Sequence, residues 1–516
     1  MELLNNDPKV LEAYSRDASL FKVIPKFVAV PKNLEDLKVL ITYAKKHGES
    51  LTVRAAGTDM TGGPLSESIV VDIKNFNQIG EIREQGTKVG PGVFYRDFEK
   101  KTLEKGLILP CYTASKQLNA LGGMVGNNSA GEKTLRYGKM ENFIVESKWL
   151  FADGKEHVIK RGVIDNEYSQ KVFDLLKANE DLIREAKPKV SKNSAGYYLW
   201  NAWDGQTLDL NKLLVGSQAT LGICTEVTVR LEPVKTHHDL VAIFFDSWDE
   251  LPKVVNALMP HDPESLETFD KDTLKLGIRF MPEIARKAGK NLLSFASQFL
   301  PEAWIGVEMG GLPELIILVE IAEETEEQVK IKVAQVVESI KPFKVFHRVI
   351  EKDSEEEKFW IMRRESFNLL RQHVKGKRTV PLVEDFCIPV EKVPEFLPRA
   401  KRILEDAGID VNIAGHAGNG NFHIIPLMDL KLESERAKLL PVAEKFYDLV
   451  SEYKGSITGE HNDGIVRTPF LHKMYSPEIL SLFQQVKNIF DPQNIFNPHK
   501  KVAGDIKYFE DHLDRG

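Results

Sequence analysis

Two clusters in this sequence carry residue types that could do chemistry. The first is Gly415-His416-Ala417-Gly418-Asn419-Gly420-Asn421-Phe422-His423, and the second is Thr458-Gly459-Glu460-His461-Asn462-Asp463-Gly464. On one continuous strand, His416 and His423 would face opposite sides, because side chains alternate with a period of two. The Gly418-Asn419-Gly420 run predicts a chain reversal instead, across which both imidazoles can meet. The pair is then either a ligand pair or a glycine-rich turn with two incidental histidines. Adding Glu460 gives two imidazoles and a carboxylate, a three-ligand set for a divalent metal with open positions. An extended chain would part the adjacent Glu460 and His461, so His461 suits proton transfer better than ligation. A third concentration, Arg363, Arg364, Arg371, Lys375, Lys377 and Arg378, lies in a helical pattern with Trp360, Phe367 and Leu370. Most of these are surface charges, but one arginine on a pocket side could grip a carboxylate with two N–H donors.

The elements that must position these groups begin with a strand at 27–30. A helix follows from Leu34, with Asn33 as its N-cap, Leu37, Leu40, Ile41 and Ala44 on one face and Gly48 as its stop. A second strand at 51–54 runs into the loop Ala55 to Pro64, and a third strand lies at 69–73. A dinucleotide fingerprint or a Walker loop would pass from its glycines straight into a helix, and this loop passes into a strand. Its backbone N–H groups could still cradle a pyrophosphate. Two further glycine-rich stretches, 122–131 and 214–223, follow within a region of short strands ending near Pro233. Beyond it lie longer helical patterns with acidic faces, at 323–327 and 351–357, read as solvated surfaces.

Composition narrows the function classes. The 516 residues suggest about three compact units. With 69 basic and 76 acidic residues the net charge is −7, which argues against a nucleic-acid binder working by bulk phosphate neutralisation. No apolar run is long enough to span a bilayer, and MELLNNDPKV has no basic segment leading into an apolar one, so a cytoplasmic protein is expected. Cys111, Cys224 and Cys387 are too scattered to build a disulfide framework or hold an iron–sulfur cluster. Any electrons must travel on a borrowed cofactor.

Taken together, Tyr14-Ser15-Arg16-Asp17-Ala18-Ser19, the three glycine stretches, both histidine clusters and Asn497-Pro498 resemble, in the same order, the FAD-dependent D-2-hydroxy-acid dehydrogenases. These belong to the vanillyl-alcohol-oxidase-like superfamily. The group includes D-lactate dehydrogenase, the glycolate oxidase flavin subunit and D-2-hydroxyglutarate dehydrogenase. The resemblance implies an α+β chain in three parts. A two-subdomain PCMH-type FAD-binding domain spans 22–233, an α+β substrate-binding cap spans 234–449, and a helical C-terminal segment, 450–516, returns to the flavin domain.

It further implies that Ala55, Ala56, Gly57, Thr58, Asp59, Thr61, Gly62 and Gly63 line the FAD pyrophosphate. Thr113, Ser115, Gly123, Asn128, Ser129 and Gly131 would wall the ribityl and isoalloxazine groups, Ile223 would meet the adenine side, and Asn497 would contact the cofactor from the tail. The first loop has no histidine, so the FAD is expected to be dissociable. His416, His423 and Glu460 match the family's metal ligands, for zinc, manganese or iron. His461 matches its base, and Arg363, rather than Arg364, matches its carboxylate binder. In this scheme the metal holds the substrate oxygens, His461 takes the hydroxyl proton and the flavin receives hydride. Phe367, Val383 and Ile425 fall where relatives that accept a second carboxylate place polar residues. Burying an unpaired charge there is costly, which favours D-lactate over hydroxyglutarate. The alternatives are a glycolate-oxidising subunit of a complex and an electron-relay subunit with a vestigial site. In each case electrons leave to an external quinone, cytochrome or electron-transfer flavoprotein. A homo-oligomer, a complex subunit and peripheral contact with the inner membrane face are all compatible with the sequence.

Overall fold

The computed structural model describes residues 3–287, 289, 291–351, 355–363, 376–409, 412–424 and 426–516. The chain divides into two compact units. Met1–Lys189, Asn193–Val234 and Ser456–Arg515 form the first, and Val190–Lys192, Lys235–Gly455 and Gly516 the second.

The first unit contains two four-stranded sheets. In one, Phe27–Ala29 and Leu51–Arg54 run parallel to Ile69–Asp72 between them, and Leu4–Asn5 pairs antiparallel at the outer edge. The connecting helix, Leu34–His47, forms as its sequence dictates. The Asn33 side chain accepts the Asp36 N–H, acids occupy the first turn and bases the last, and Gly48 closes it at φ 66°. Its buried stripe, Leu37, Leu40, Ile41 and Ala44, packs on Leu51, Ile69 and Val71. Each such Leu or Ile contributes about 1.5–3 kcal/mol by leaving water. The other sheet is antiparallel, in the order Thr87–Val89, Ile223–Val229, Ile144–Leu150, Glu156–Lys160.

The C-terminal segment is stitched into this unit by buried polar groups. Lys487 Nζ donates to Thr220 O, Phe496 O and the Asp491 carboxylate at 2.6–2.7 Å. Phe496 forms a parallel bridge with Leu51.

The second unit is built on a seven-stranded antiparallel sheet. Its order is Val345–Ile350, His237–Phe245, Leu315–Glu323, Ser265–Asp270, Ile413–His416, Asn421–Ile424, Phe386–Cys387. Helices Leu251–Leu258 and Glu326–Ile340 bury Val254, Val255, Leu258, Val329, Val333, Val336 and Ile340. The acidic run at 323–327, expected as a helix face, is divided: Glu323 ends the strand Leu315–Glu323 and pairs with Lys235 and Lys332, while Glu326 and Glu327 form the first turn of the second helix behind a Thr325 capping box. Between the neighbouring strands Ser265–Asp270 and Leu315–Glu323 the chain makes a four-helix excursion: Lys271–Arg279, Met281–Lys287, Leu292–Ser297 and Leu300–Met309. Among the described residues no helix is long and apolar enough to cross a membrane.

Candidate functional site

In the first unit the loop after Leu51–Arg54 is shaped by one carboxylate. Asp59 Oδ2 accepts Thr61 N–H at 2.9 Å, Thr61 Oγ1 at 2.7 Å and Gly63 N–H at 2.8 Å. The neighbouring Asp17 accepts Gly62 N–H at 3.1 Å. Burial, with Asp59 close by, pushes the Asp17 carboxyl up to about 7. Among the described residues, the N–H groups of Gly57, Thr58, Asp59 and Met60 meet no protein acceptor, and these residues are only half-buried. Consecutive free N–H donors on a glycine-bearing loop suit an anion such as the FAD pyrophosphate.

The three glycine stretches and the tail are joined by one hydrogen-bonded relay. Asp59 Oδ1 accepts from Asn127 Nδ2 (2.8 Å), and Asn127 Oδ1 accepts from Gln218 Nε2 (3.3 Å). Gln218 Oε1 in turn accepts from Gly464 N–H (2.9 Å). The relay's direction is forced, since Asp59 can only accept and a backbone N–H can only donate. Further along the second stretch, Gly123 is exposed and open space lies where its side chain would be. Thr113 Oγ1 and Ser115 Oγ lie 2.9 Å apart, and Asn119 Nδ2 donates to Thr113 at 2.8 Å. Among the described residues, Asn119 Oδ1, Asn128 Nδ2 and Ser217 Oγ are buried with no hydrogen-bond partner. Such orphaned groups are costly unless a ligand satisfies them, so the residues fit a polar cofactor.

The remaining flavin candidates are placed as follows. Ser129 is buried, Gly131 lies against Tyr112 O, and Ile223 starts a strand with its side chain in the core. Asn497, expected beside the cofactor, has its side chain bonded to three other segments. Its Oδ1 accepts Thr52 Oγ1 (2.9 Å), and its Nδ2 donates to Gly63 O (3.0 Å) and Gln218 O (2.7 Å). The side chain is thus occupied in clamping the protein.

The second unit holds the histidine hairpin. Ile413–His416 pairs with Asn421–Ile424, opposing His416 to Asn421 and Ala414 to His423, so both histidines project from one face with ring centroids 5.4 Å apart. Gly420 allows the reversal. Its φ is 63°, and a Cβ there would fall 2.0 Å from Ile388 O.

Each imidazole is backed by a buried carboxylate. His416 Nδ1 lies 2.5 Å from Glu267 Oε1, its partner in the sheet register, and His423 Nδ1 lies 3.6 Å from Glu384 Oε2. At His416 this is the arrangement that orients a metal-ligating histidine and leaves Nε2 for the ion, whereas the His423–Glu384 separation is too long for a hydrogen bond. Asp385 and His423 offer ligand atoms within 4.8 Å of each other. Asn421 Nδ2 holds Asp385 Oδ1 at 3.0 Å, and Lys192 Nζ lies 3.3 Å from Asn421 Oδ1.

Glu267 also pairs with the Arg363 guanidinium. Burial alone would push its carboxyl up, but Arg363 and His416 hold it down at about 2. Among the described residues Arg363 Nε is buried without a hydrogen-bond partner, which suits that N–H to a ligand. Val383 is wholly buried. Phe367, Ile425, Arg364, Arg371 and Lys375 lie outside the described residues.

Glu267, Glu384 and Asp385 escaped the sequence reading. For Glu267 no local signal exists, because its register partner is 149 positions away. Glu384-Asp385 did carry one: two acids inside the apolar run 380–388.

In the first unit, Glu460 and His461 sit on a bend rather than an extended chain. Asn462 has φ 74°, and Glu460 Oε1 lies 3.6 Å from His461 Nε2, so adjacency does not part them. The loop is anchored by Lys139, whose buried Nζ donates to Asn193 O, Ser194 Oγ, Tyr198 OH and Gly459 O at 2.6–3.1 Å. Asp463 Oδ2 accepts Gly196 N–H at 2.8 Å and pairs with Lys501 Nζ at 3.0 Å.

Comparison with known proteins bears on the family and the fold. The family profile described as FAD linked oxidases, C-terminal domain, matches residues 234–501, and that of a FAD binding domain matches 25–160. The glycolate oxidase subunit GlcD of Bacillus subtilis (strain 168) is 26% identical over 503 residues, covering 96% of this chain and 93% of that protein. The D-lactate dehydrogenase of Archaeoglobus fulgidus is 27% identical over 500 residues, covering 95% and 96%. The solved 4-ethylphenol oxidase from Gulosibacter chungangensis shares the fold with a TM-score of 0.69 at 16% identity, over 98% of this chain and 95% of that one. The chain belongs to the FAD-linked oxidases and is an oxidoreductase flavoprotein with the PCMH-type, mixed helix-and-sheet fold expected from its sequence.

Proposed function

We propose that this flavoprotein oxidises a D-2-hydroxy acid, D-lactate foremost, to the 2-oxo acid and passes the electrons to an external acceptor. The observation that carries the reading is the histidine hairpin, both rings on one face and the buried Glu267 carboxylate behind His416 Nδ1, a donor set suited to a divalent metal. His416, His423 and Glu460 are the proposed ligands, for zinc, manganese or iron, with Asp385 a further oxygen donor beside His423. When bound, the FAD supplies the hydride acceptor, and the metal supplies Lewis acidity toward the substrate oxygens.

The chain's own groups do the rest. His461 accepts the proton of the C2 hydroxyl on its imidazole, because hydride can leave C2 only as the oxygen loses its proton. Arg363, tied to Glu267 through one edge, offers Nε–H to the substrate carboxylate. The loop 55–63, with Thr113, Ser115, Gly123, Asn128, Ser129 and Gly131, would hold the FAD. No histidine lies in the first loop, which supports a dissociable cofactor. The three buried, scattered cysteines supply no cluster, so electrons leave to a quinone, a cytochrome or an electron-transfer flavoprotein.

A second reading, glycolate oxidation within a complex, is favoured by the similarity to the Bacillus subtilis subunit. One experiment addresses both. The flavin-loaded protein is mixed anaerobically with D- and L-lactate, glycolate and D-2-hydroxyglutarate, with zinc, manganese or iron supplied, and flavin absorbance is followed. Fastest bleaching by D-lactate is expected, and fastest bleaching by glycolate would move the assignment. Failure of every D-acid to bleach the metal-supplied protein would overturn the proposal.

A further inference from the structure

Neighbouring antiparallel strands need only about two to five residues to close a hairpin. Between Ser265–Asp270 and Leu315–Glu323 this chain inserts residues 271–314, with four helices. The turn itself does not need them, so their use lies in what they touch. Two kinds of contact run from the insertion to the helical residues 355–363, which carry Arg363. The first is apolar. Ile361 packs on the insertion's own core, Phe280, Ile284, Ala285 and Phe295, while Phe359 and Trp360 join Ile305 and Met309 in the core cluster of the seven-stranded sheet.

The second is ionic. Lys358 is wholly buried, and its Nζ donates to both Glu302 oxygens, at 2.9 and 3.0 Å, and to Gln298 O. The rings of Phe299 and Phe359 lie 4.8 and 5.0 Å from the same ammonium. Glu302 also pairs with Arg348, on the edge strand Val345–Ile350, and Arg348 pairs with Glu355 through its other nitrogen. The result is a ring of alternating charge. It leaves the helix at Glu355, crosses the edge strand and the insertion, and returns to the helix at Lys358.

Adhesion alone does not call for such a ring. Burial pulls the Lys358 ammonium below its ordinary pKa, with Glu302 opposing the fall, and an apolar pair of similar volume would hold the helix as well or better. What the ring adds is direction. Apolar burial is non-directional, whereas an ammonium with three N–H donors and three assigned acceptors fixes how the helix is turned. Rotation is what Arg363 needs. Five residues beyond Lys358, it lies about 7.5 Å further along the helix and about 140° around it. The anchor therefore grips the back of the helix while Arg363 leaves from the other side to meet Glu267. A helix turned by about 20° would carry the end of a long side chain by about 2 Å, and a misplacement of about 1 Å at a site of chemistry can cost roughly a hundredfold in rate. We propose that Glu302 and Lys358 are positioning residues for Arg363, and that the insertion is a brace setting the rotation of helix 355–363 and so the reach of the guanidinium toward the substrate carboxylate.

The inference rests on the reading of Arg363 as the carboxylate binder. The test compares D-lactate with D-lactamide, its neutral analogue, as anaerobic reductants of the flavin in the metal-supplied, flavin-loaded full chain. The ratio of their second-order reduction rates isolates the carboxylate contact, because a general loss of activity lowers both rates and leaves the ratio unmoved. Glu302→Gln is expected to lower the ratio at least tenfold. The double variant Glu302→Leu, Lys358→Met keeps the contact as an apolar one and is expected to retain its flavin while the ratio falls equally far. Should the single variant lose its flavin, the double one decides, and loss of flavin by both would make the ring merely structural and overturn the inference. Arg363→Met is the reference and should lower the ratio at least as much. If it does so and either flavin-retaining variant keeps the wild-type ratio, the brace is overturned while Arg363 keeps its place. If the reference also leaves the ratio unmoved, or D-lactate leaves the wild-type flavin oxidised, the proposed reading of the site is overturned and the inference with it.

Discussion

The relay from Asp59 through Asn127 and Gln218 to Gly464 makes a prediction about direction as well as strength. Its ends are fixed, one a carboxylate and the other a backbone N–H, so both intervening amides have one allowed orientation. Asp59→Asn leaves the side chain's shape almost unaltered. The substituted amide must keep its oxygen toward Thr61 N–H and Gly63 N–H, so its NH2 meets the NH2 of Asn127. Flipping Asn127 moves the conflict to Gln218, and flipping Gln218 sets an NH2 against Gly464 N–H. One donor is left facing a donor wherever the conflict settles. A buried hydrogen-bonding group left unsatisfied costs about 1–3 kcal/mol. Gln218→Glu fails in the mirror sense, with two acceptors opposed.

Together the two substitutions repair each other. The amide introduced at position 59 donates to a flipped Asn127, which donates to the carboxylate introduced at position 218, which accepts Gly464 N–H. The double variant is therefore expected to recover most of the loss, with a coupling energy of about 1–3 kcal/mol. The assay is urea unfolding of the apoprotein, followed by far-UV circular dichroism, for wild type, both singles and the double. Working without FAD removes any attraction or repulsion between the displaced charge and the cofactor's phosphates. Losses in the double variant equal to the sum of the singles would refute the relay.

Four further outcomes are expected. Glu267→Gln should lower divalent-metal affinity about 10–100-fold by freeing the His416 ring, read as metal retained after dialysis; equal retention would remove Glu267 from that role. Lys487→Met leaves Asp491 as an uncompensated buried charge and should cost about 3–5 kcal/mol in chemical unfolding, whereas Lys487→Met with Asp491→Asn should cost less. Gly464→Ala would put a Cβ 2.2 Å from Thr61 Oγ1 and 2.3 Å from Thr61 O at a φ of 52°, so apoprotein with a weakened hold on FAD is expected; unaltered FAD affinity would show that the close approach is dispensable. Asp270 is raised by burial from 3.8 to about 6. The folded state therefore keeps this proton where the unfolded chain has lost it, and stability from this group is present below about pH 4 and falls as pH rises to about 6, by about 3 kcal/mol at 1.36 kcal/mol per unit. Asp270→Asn should abolish that slope, and parallel pH profiles of variant and wild type would contradict it.

What the sequence revealed depended on whether the deciding partner was near in the chain. The helix Leu34–His47 was legible because its cap, its stripe and its terminating glycine all lie within sixteen positions, Asn33 to Gly48. The histidine hairpin was legible because Gly420 sits inside the turn it permits. The bend at Glu460-His461 was not, since it rests on Asn462 at φ 74°, held by its Nδ2 to Gly216 O at 2.9 Å, and no local rule demands a left-handed asparagine there. Asn497 shows the same limit from the other side. Its motif marked it as important, but only the folded clamp on Thr52, Gly63 and Gln218 shows where its hydrogen bonds go. The glycine stretches were read as three separate loops, each able to approach a cofactor. The relay and the Asn497 clamp make them one object, in which the shape of the first loop depends on an amide in the third and a backbone N–H in the tail. A loop built this way is set before any cofactor arrives, and a defect in the tail is expected to be felt first at residues 55–63.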